Sequence, residues 1–229
     1  MNVILHFFNN LSIKNINELE NYSSNMIAII DYGMGNVGSV TNAVNALGYE
    51  VIIPKTKNDF HDASHIILPG VGAFAEGMKN LQKLGFIEIL NYEVIQNHKP
   101  FLGLCMGMQL LAESGDEGGT TTGLSWIKGC VKKLSVDEKQ FKIPHVGWND
   151  IVPRDNSILF KNVTSPIFYF VHSYHFLVEE KSSIAAESEY GKKFVAAIEK
   201  NNIFGLQFHT EKSQREGLKV LGNFLLTSN

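Results

Sequence analysis

The sequence predicts an α/β fold in which an open, mostly parallel central sheet carries helices on both faces. Three observations support this prediction. Apolar runs such as residues 26–30 are uniformly hydrophobic, which suits strands that are buried on both faces. Helical patterns alternate with these runs through the first half of the chain. Glycine-rich turns follow the runs, at the strand ends where open α/β sheets place ligand-binding loops.

The first βαβ unit is predicted over residues 26–53. The strand at 26–30 leads through a glycine-rich turn into a helix that Gly48 closes. The second strand, 51–53, ends before Pro54. The apolar face of the helix consists of Val37, Val40, Val44 and Leu47.

Further strands and helices follow this unit. A strand at 66–68 ends in the loop sequence P-G-V-G, and a helical pattern at 76–97 has a break near Gly85. After a strand at 101–104, the pattern loosens into turn-rich sequence between residues 115 and 142. The remaining predicted strands are residues 167–171, 194–198 and 204–208.

Length and composition favour one domain in a reducing compartment. The 229 residues, 44% of them hydrophobic, suffice for a full core. The net charge of −3 gives no electrostatic footprint for nucleic acid or for an acidic membrane surface. Cys105 and Cys130 form no C-x-x-C motif and predict free thiols, so we expect a cytoplasmic protein. No apolar stretch reaches the roughly 18 residues of a membrane span.

Residues 1–25 stand apart from the domain, which we place at residues 26–229. Seven of these residues are Asn, and neither helical nor strand periodicity runs through them. The run V-I-L-H-F-F lacks the basic start and the cleavage site of a signal peptide. We therefore expect an appendage, with Met26 as the natural start of the domain. A helix over residues 13–22 is the competing interpretation.

The sequence P-F-L-G-L-C-M-G-M-Q places Cys105 at a sharp turn between a strand and a helix. Gly103 and Gly107 flank it, as in a nucleophile elbow, because so tight a turn leaves no room for Cβ atoms. The helix N-terminus favours a thiolate, and the backbone N–H groups of its first turn provide an oxyanion site. Cys105 is therefore the candidate nucleophile, against the alternative of a buried core cysteine.

His209 and Glu211 follow the last predicted strand with one residue between them. Side chains at positions i and i+2 of an extended chain point the same way, so the imidazole and the carboxylate can lie side by side. His209 would take the thiol proton while Glu211 orients the ring. A surface H-x-E pair alone is often inert, but together with a glycine-flanked cysteine it predicts a Cys-His-Glu triad.

Two other motifs allow alternative interpretations. Gly33, Gly35 and Gly38 match the dinucleotide fingerprint G-x-G-x-x-G, but the following strand does not end in the acid that binds a ribose. A flavodoxin-like nucleotide-binding module is the alternative, against a structural or partner-contacting loop. His172 and His175 have no third ligand at a matching interval, so we expect neither a metal nor a cofactor.

Several motifs together resemble the class I glutamine amidotransferases, which use a Cys-His-Glu triad. Three of them are G-L-C-M-G-M-Q, F-V-H-S-Y and F-G-L-Q-F-H-T-E-K-S. The motifs D-Y-G-M-G-N, P-G-V-G-A-F and P-H-V-G-W-N further resemble the glutaminase subunits of imidazole glycerol phosphate synthase, from histidine biosynthesis. The resemblance spans residues 26 to about 226 and implies a flavodoxin-like α/β fold.

The resemblance implies a role for each matching position. Cys105 would attack the side-chain amide of glutamine, His209 would protonate the departing ammonia and activate water, and Glu211 would orient His209. The other implied positions are Val71, Gly72 and Met106 for the oxyanion, and Gln109, Ser173 and Tyr174 for glutamine.

Thr210 departs from the family pattern H-P-E, in which proline separates the catalytic histidine and glutamate. Threonine gives a freer backbone with one more N–H donor than proline has. Because a β-branched residue fits an extended chain, we expect the geometry of the triad to survive. The departure weakens the assignment to the histidine pathway.

The resemblance also implies a partner, a (β/α)8-barrel cyclase subunit that forms a heterodimer with this chain. Ammonia released into water at neutral pH would be protonated, so hydrolysis is useful only if the product passes directly to an acceptor. We expect Asn36, Trp148 and Tyr174 at the interface, since Trp is a favoured interface anchor. A paralogue that supplies ammonia for amidation of a surface-polysaccharide sugar is the alternative within the family.

Overall fold

The computed structural model describes residues 26–228. The expected appendage of residues 1–25, with its alternative helix at 13–22, lies outside the described residues, as does Asn229. The strands are β1 (Met26–Ile29), β2 (Glu50–Ile52), β3 (His65–Gly70), β4 (Phe101–Cys105), β5 (Ser114–Gly115), β6 (Thr121–Thr122), β7 (Gly129–Lys133), β8 (His145–Pro153), β9 (Ile167–His172), β10 (Tyr174–Val178), β11 (Ile184–Tyr190), β12 (Lys192–Lys200) and β13 (Ile203–Leu206). The helices are α1 (Val37–Ala46), α2 (Lys57–Asp62), α3 (Phe74–Lys83), α4 (Phe86–Leu90), α5 (Met106–Gln109) and α6 (Gln214–Leu225), with a π-helix at Asn91–Gln96 and 3-10 turns at Lys181–Ser183 and Thr210–Lys212.

The central sheet has nine strands in the order β2-β1-β3-β4-β13-β12-β11-β8-β9. The strands from β2 to β13 in this order pair in parallel. The strands from β13 to β9 pair antiparallel, and β10, β7, β5 and β6 form a separate small sheet. The predicted α/β class is confirmed, and the sheet is mixed, with a parallel half and an antiparallel half that share β13.

Helices cover both faces of the parallel half, as predicted. Ile27 and Ile29 of β1 pack in the core with α1 and α6, whereas Ala28 packs in the core with α3 and α4. This division follows from the alternation of side chains along a strand. β3, β4 and β13 are short strands that are buried at every residue, and this burial explains why their sequences are mostly apolar.

The antiparallel half curls back toward the parallel half. His209, beyond the end of β13, forms an antiparallel bridge with Tyr169 of β9, and its N–H donates to the Tyr169 carbonyl oxygen at 3.0 Å. Since β9 is the last strand in the sheet order, this bridge closes the curl. Inside the curl, the ring of Phe168 stacks on that of Phe208, and the ring of Phe170 packs edge-on against the same phenylalanine. The curl therefore brings β9 beside the strand ends that carry the candidate triad.

The long helical pattern forms several short helices. Gly85 separates α3 from α4 with a φ of 69°, which matches the predicted break, and the π-helix follows α4 directly. Within residues 26–228, no helix has the length and apolarity that crossing a membrane requires.

Candidate active site

Cys105 occupies a strained turn between β4 and α5. Its backbone has φ 52° and ψ −109°, and a positive φ is uncommon for a residue with a side chain. Such strain persists only where the surrounding structure enforces it, and it concentrates at functional sites. The turn therefore has the geometry expected of a nucleophile elbow.

The two flanking glycines are required by close contacts inside this elbow. A Cβ on Gly107 would lie 1.9 Å from the carbonyl oxygen of Leu68, and a Cβ on Gly103 would lie 2.5 Å from the carbonyl oxygen of Gly107. These are backbone atoms, which cannot move aside without distorting β3 or α5. This crowding is the steric reason for glycine that the sequence predicted.

His209 and Glu211 form the expected pair. Nδ1 of His209 lies 2.8 Å from Oε1 of Glu211, and both side chains are buried. Burial alone would lower the pKa of His209, but the charges of Cys105 and Glu211 and the contact with Glu211 outweigh it and raise the pKa to about 10. Nε2, the ring nitrogen that would exchange a proton with the thiol, has no hydrogen-bond partner among residues 26–228. The structure thus brings the three side chains together, and their interaction favours the protonated imidazole.

Ser213 fixes the turn that carries this pair. Its hydroxyl donates to the carbonyl oxygen of His209 and accepts the N–H of Tyr169 at 2.9 Å, which joins the turn to β9. Thr210 begins the 3-10 turn, and its buried hydroxyl has no hydrogen-bond partner among residues 26–228. The geometry expected to survive the replacement of proline is present.

The predicted oxyanion residues lie around the nucleophile. Gly70 at the end of β3 pairs directly with Cys105, so Val71 and Gly72 continue beside it. Gly72 has a φ of 97°, a conformation that favours glycine. Met106 is the first residue of α5, where backbone N–H groups lack partners within the helix.

A buried tyrosine next to these residues was not singled out from the sequence. The Tyr32 hydroxyl lies 2.7 Å from the position that a Cβ on Gly70 would take, and it has no hydrogen-bond partner among residues 26–228. Burial, and to a smaller extent the proximity of Cys105, raises the pKa of Tyr32. The Tyr32 hydroxyl therefore stays protonated, next to the segment that leads into Val71 and Gly72.

The predicted glutamine-binding residues meet next to the nucleophile. Nε2 of Gln109 donates to the carbonyl oxygen of Tyr174 at 2.9 Å, and Nδ1 of His172 makes a second contact to the same oxygen at 2.9 Å. The carbonyl oxygen of Ser173 accepts the N–H of Leu134 at 2.8 Å. Since the Tyr174 oxygen already has two partners, this segment would bind glutamine through its other polar atoms.

The three candidate interface residues lie in different places: Asn36 precedes α1, Trp148 lies on β8, and Tyr174 begins β10 of the small sheet. Trp148 on β8 is 49% exposed and packs edge-on against Tyr169, with ring centres 6.0 Å apart. Val146 and Val152 are exposed on the same face of β8, because alternate residues of a strand share a face. Asn36 caps α1 by accepting the N–H of Ser39 at 3.4 Å.

The glycine-rich loop after β1 does not match the dinucleotide fingerprint in its packing. A Cβ on Gly35 would lie 3.1 Å from the carbonyl oxygen of Pro69, so this glycine permits contact with the P-G-V-G segment. The third glycine of the fingerprint should allow close packing between helix and strand, but Gly38 has nothing within 4 Å of its Cβ position. The glycine-rich loop therefore packs against Pro69, in the segment just before the predicted oxyanion residues Val71 and Gly72.

Sequence reasoning missed Gln207. Its Nε2 lies 3.6 Å from Sγ of Cys105, its Oε1 accepts Nε2 of Gln109 at 2.9 Å, and its side chain is fully buried. The available signal was a single amide in the apolar strand F-G-L-Q-F, two residues before His209 and hence on the same side of the strand.

Sequence reasoning also missed a histidine pair behind the glutamine-binding segment. Nδ1 of His145 lies 3.1 Å from Nε2 of His172. Burial lowers the pKa of His145 to about 4 and that of His172 to about 3, so both rings are neutral at pH 7.

Comparison with known proteins identifies the family of this chain. The family profile described as glutamine amidotransferase class-I matches residues 28–228. The imidazole glycerol phosphate synthase subunit HisH 2 of Methanococcus maripaludis is 46% identical over 201 residues, which are 87% of this chain and 98% of that protein. The HisH subunit of Moorella thermoacetica is 45% identical over 200 residues, 86% of this chain and 93% of that protein.

Solved structures share the fold at lower identity. A crystal structure of a glutamine amidotransferase has a TM-score of 0.68 at 16% identity and covers 87% of this chain and 96% of its own. The PurLQS structure from Thermotoga maritima has a TM-score of 0.65 at 18% identity and covers 87% of this chain and 97% of its own. The chain belongs to the class I glutamine amidotransferase family, and within it to the HisH subunits of imidazole glycerol phosphate synthase.

Proposed function

We propose that this chain is the glutaminase subunit of imidazole glycerol phosphate synthase and acts through Cys105, His209 and Glu211. The observation that carries the proposal is the buried His209–Glu211 pair, 2.8 Å apart, next to a cysteine on a strained elbow. The reaction hydrolyses the side-chain amide of glutamine to glutamate and ammonia, which a partner subunit consumes.

In the first half of the reaction, the Cys105 sulfur attacks the amide carbon. The raised pKa of His209 favours a resting pair of thiolate and imidazolium, so the proton needed by the leaving nitrogen is already on the imidazole. Backbone N–H groups at Met106 and at the loop of Val71 and Gly72 stabilise the developing oxyanion. Ammonia leaves with the proton from His209, and a thioester remains on Cys105.

In the second half, His209 is neutral and removes a proton from water. The hydroxide attacks the thioester, glutamate leaves, and the sulfur and imidazole return to their resting state. Glu211 holds Nδ1 of His209 through both halves, so that the ring neither rotates nor changes tautomer.

The test is glutamate release by the complex with the cyclase subunit. We expect Cys105→Ala and His209→Ala each to lower kcat by about 10⁴-fold, because each removes a group that forms or breaks a bond. Cys130→Ala is the matched control, since this free thiol lies on β7 in the small sheet. Near-wild-type turnover in either of the first two variants would refute the proposal.

The partner is a (β/α)8-barrel cyclase that receives ammonia and forms a cytoplasmic heterodimer with this chain. Trp148, Val146 and Val152 form an exposed apolar face on β8, the strand that pairs with β9 beside the site. We expect free glutaminase activity to be low until the partner docks and organises the loop at Val71.

Affinity for the cyclase tests the docking face. Trp148→Ala should weaken it by about tenfold or more, as truncation of a central aromatic anchor does. Leu177→Ala is the control, because Leu177 is also exposed but lies on β10 of the small sheet, on the face opposite Tyr174. Equal affinities of the two variants would place the interface elsewhere.

The sugar-amidating paralogue is the second candidate, because Thr210 departs from the family pattern H-P-E. Reconstitution with the histidine-pathway cyclase separates the two candidates. Amination of the cyclase substrate at a rate matching glutamate release supports the histidine pathway, whereas glutamate release without amination supports another acceptor.

A further inference from the structure

Gln207 places an amide against the nucleophile. The register of β4 and β13 pairs Leu104 with Leu206, so Cys105 and Gln207 are the next residues on neighbouring parallel chains. The Gln207 side chain is fully buried, and burying an amide without hydrogen bonds costs free energy. Both ends of this amide have partners, Cys105 at one end and Gln109 at the other.

The orientation of the Gln207 amide follows from a carbonyl group two contacts away. The backbone oxygen of Tyr174 can only accept hydrogen bonds, so the end of the Gln109 amide that faces it must be the NH₂ group. The same NH₂ group faces Gln207, which must therefore present its oxygen to Gln109. The Gln207 NH₂ group is left to face Sγ of Cys105 at 3.6 Å.

The histidine pair supports the same carbonyl from its other side. His172 is neutral, and its Nδ1 must carry the proton because it faces the Tyr174 oxygen. Its Nε2 is then an acceptor, which requires the proton on Nδ1 of His145. Donors from both sides thus converge on the Tyr174 oxygen, and from Gln109 onward they point toward Cys105, so the Gln207 amide cannot flip without breaking its contact with Gln109.

The sulfur of Cys105 has two polar neighbours that favour different protonation states of the sulfur. The carbonyl oxygen of Val171, at 3.8 Å, can interact favourably only with the protonated thiol. The Gln207 NH₂ group can donate to the thiolate, and hydrogen bonds to an ionised group are the stronger kind. Gln207 therefore shifts the sulfur toward the form that attacks.

We propose that Gln207 is a positioning residue of the glutaminase reaction, whose N–H group stabilises the thiolate of Cys105 and directs the sulfur toward the substrate. This inference rests on the proposed function. It assigns the Gln109 side chain a second task, that of keeping the Gln207 amide oriented.

The test measures the rate at which iodoacetamide alkylates Cys105 as a function of pH. The full chain carries Cys130→Ala, so that Cys105 is the only cysteine. Gln207→Met keeps the volume of the side chain but removes its donor, and Gln207→Glu keeps the acceptor for Gln109 but replaces the donor with a carboxylate. We expect the midpoint of the profile to rise by about one pH unit in the Met variant and by at least as much in the Glu variant, with alkylation at pH 7 about tenfold slower.

A merely structural role for Gln207 predicts a different pattern. If the residue only links Gln109 to the strand, Gln207→Met leaves the midpoint of the alkylation profile unshifted, and the loss of that link appears as a higher KM for glutamine. An unshifted midpoint in the Met variant overturns the proposal, and thermal unfolding verifies that each variant is folded. If the Glu variant does not fold, the Met variant alone decides.

Kinetics with the cyclase separate this proposal from the proposed function. Gln207→Met should lower kcat about tenfold with KM nearly unchanged, because the amide acts on the sulfur. Full activity of Cys105→Ala would defeat the proposed function whatever the alkylation profile shows. An inactive Cys105→Ala together with an unshifted profile in Gln207→Met would defeat only the role of Gln207.

Discussion

The parallel and antiparallel halves of the central sheet differ in burial and in what they contribute to the site. In the parallel half, β3, β4 and β13 are buried at every residue, and the elbow has no space for a Cβ at Gly107. In the antiparallel half, β8 exposes alternate residues, and buried histidines lie inside the curl. The parallel half holds the sulfur of Cys105 in a fixed place, and the antiparallel half brings the Val171 carbonyl oxygen of β9 within 3.8 Å of it.

This difference predicts how each half responds to substitution and to pH. Backbone atoms in contact with backbone atoms cannot yield, so the parallel half should accept little change around Cys105. Side-chain contacts such as the pair of His145 and His172 depend on protonation, so the antiparallel half should respond to pH. The two halves meet along β13 and at the bridge between Tyr169 and His209.

The largest effect should come from crowding the elbow. Gly107→Ala should lower the free energy of unfolding by about 3 kcal/mol or prevent folding, because its Cβ would lie 1.9 Å from a backbone oxygen. Gly38→Ala on α1 is the control and should be neutral or stabilising by up to about 1 kcal/mol, since its Cβ position is open. Urea unfolding measures both, and equal stabilities would remove the steric argument.

A smaller effect should come from the histidines inside the curl. Because burial lowers the pKa of His172 to about 3, the unfolded chain, with an ordinary value near 6.5, binds more protons below that pH. Stability should therefore fall as the pH drops from 7 to 5, by about 2 kcal/mol for this residue. His172→Gln should lose that much less over the same range, as measured by urea unfolding.

The opposite sign applies to the triad. The raised pKa of His209 gives a contribution to stability that is full below about pH 6.5 and is lost as the pH rises through about 10. His98→Gln, at an exposed position, is the control for His172→Gln. If His172→Gln and His98→Gln give the same slope, the buried pair is not the cause of the acid sensitivity.

The smallest effect should come from Thr210, at the seam between the halves. Its buried hydroxyl lacks a partner among residues 26–228, so the isosteric change Thr210→Val should stabilise the fold by about 1 kcal/mol. Thr210→Pro should keep glutaminase activity, because no hydrogen bond within the described chain uses its backbone N–H. Destabilisation in Thr210→Val, or a large loss of activity in Thr210→Pro, would contradict this expectation and show that the threonine has a structural or catalytic role.

The parts of the fold that depend on local spacing could be predicted from the sequence. The βαβ opening, the break at Gly85 and the glycines beside Cys105 all reflect steric or periodic rules that act within a few residues. His209 and Glu211 do pair, but the pair forms at the 3-10 turn Thr210–Lys212 and not along the extended chain that the sequence predicted.

What could not be predicted depends on contacts between distant segments. No local pattern shows that Tyr169 will bridge to His209, since the bridge requires the antiparallel strands to curl. Gln207 was missed because one amide in an apolar strand becomes meaningful only when Gln109 and Cys105 are placed beside it. The neutral histidine pair likewise emerges only from the packing of β8 on β9.

The position of β13 has a consequence for a truncated chain. This strand pairs in parallel with β4 on one side and antiparallel with β12 on the other, although it comes near the end of the chain. Removal of residues 203–206 would therefore leave an open edge on both β4 and β12. Under the proposed mechanism, a chain that stops before residue 203 also lacks the base for Cys105, so it should release no ammonia from glutamine.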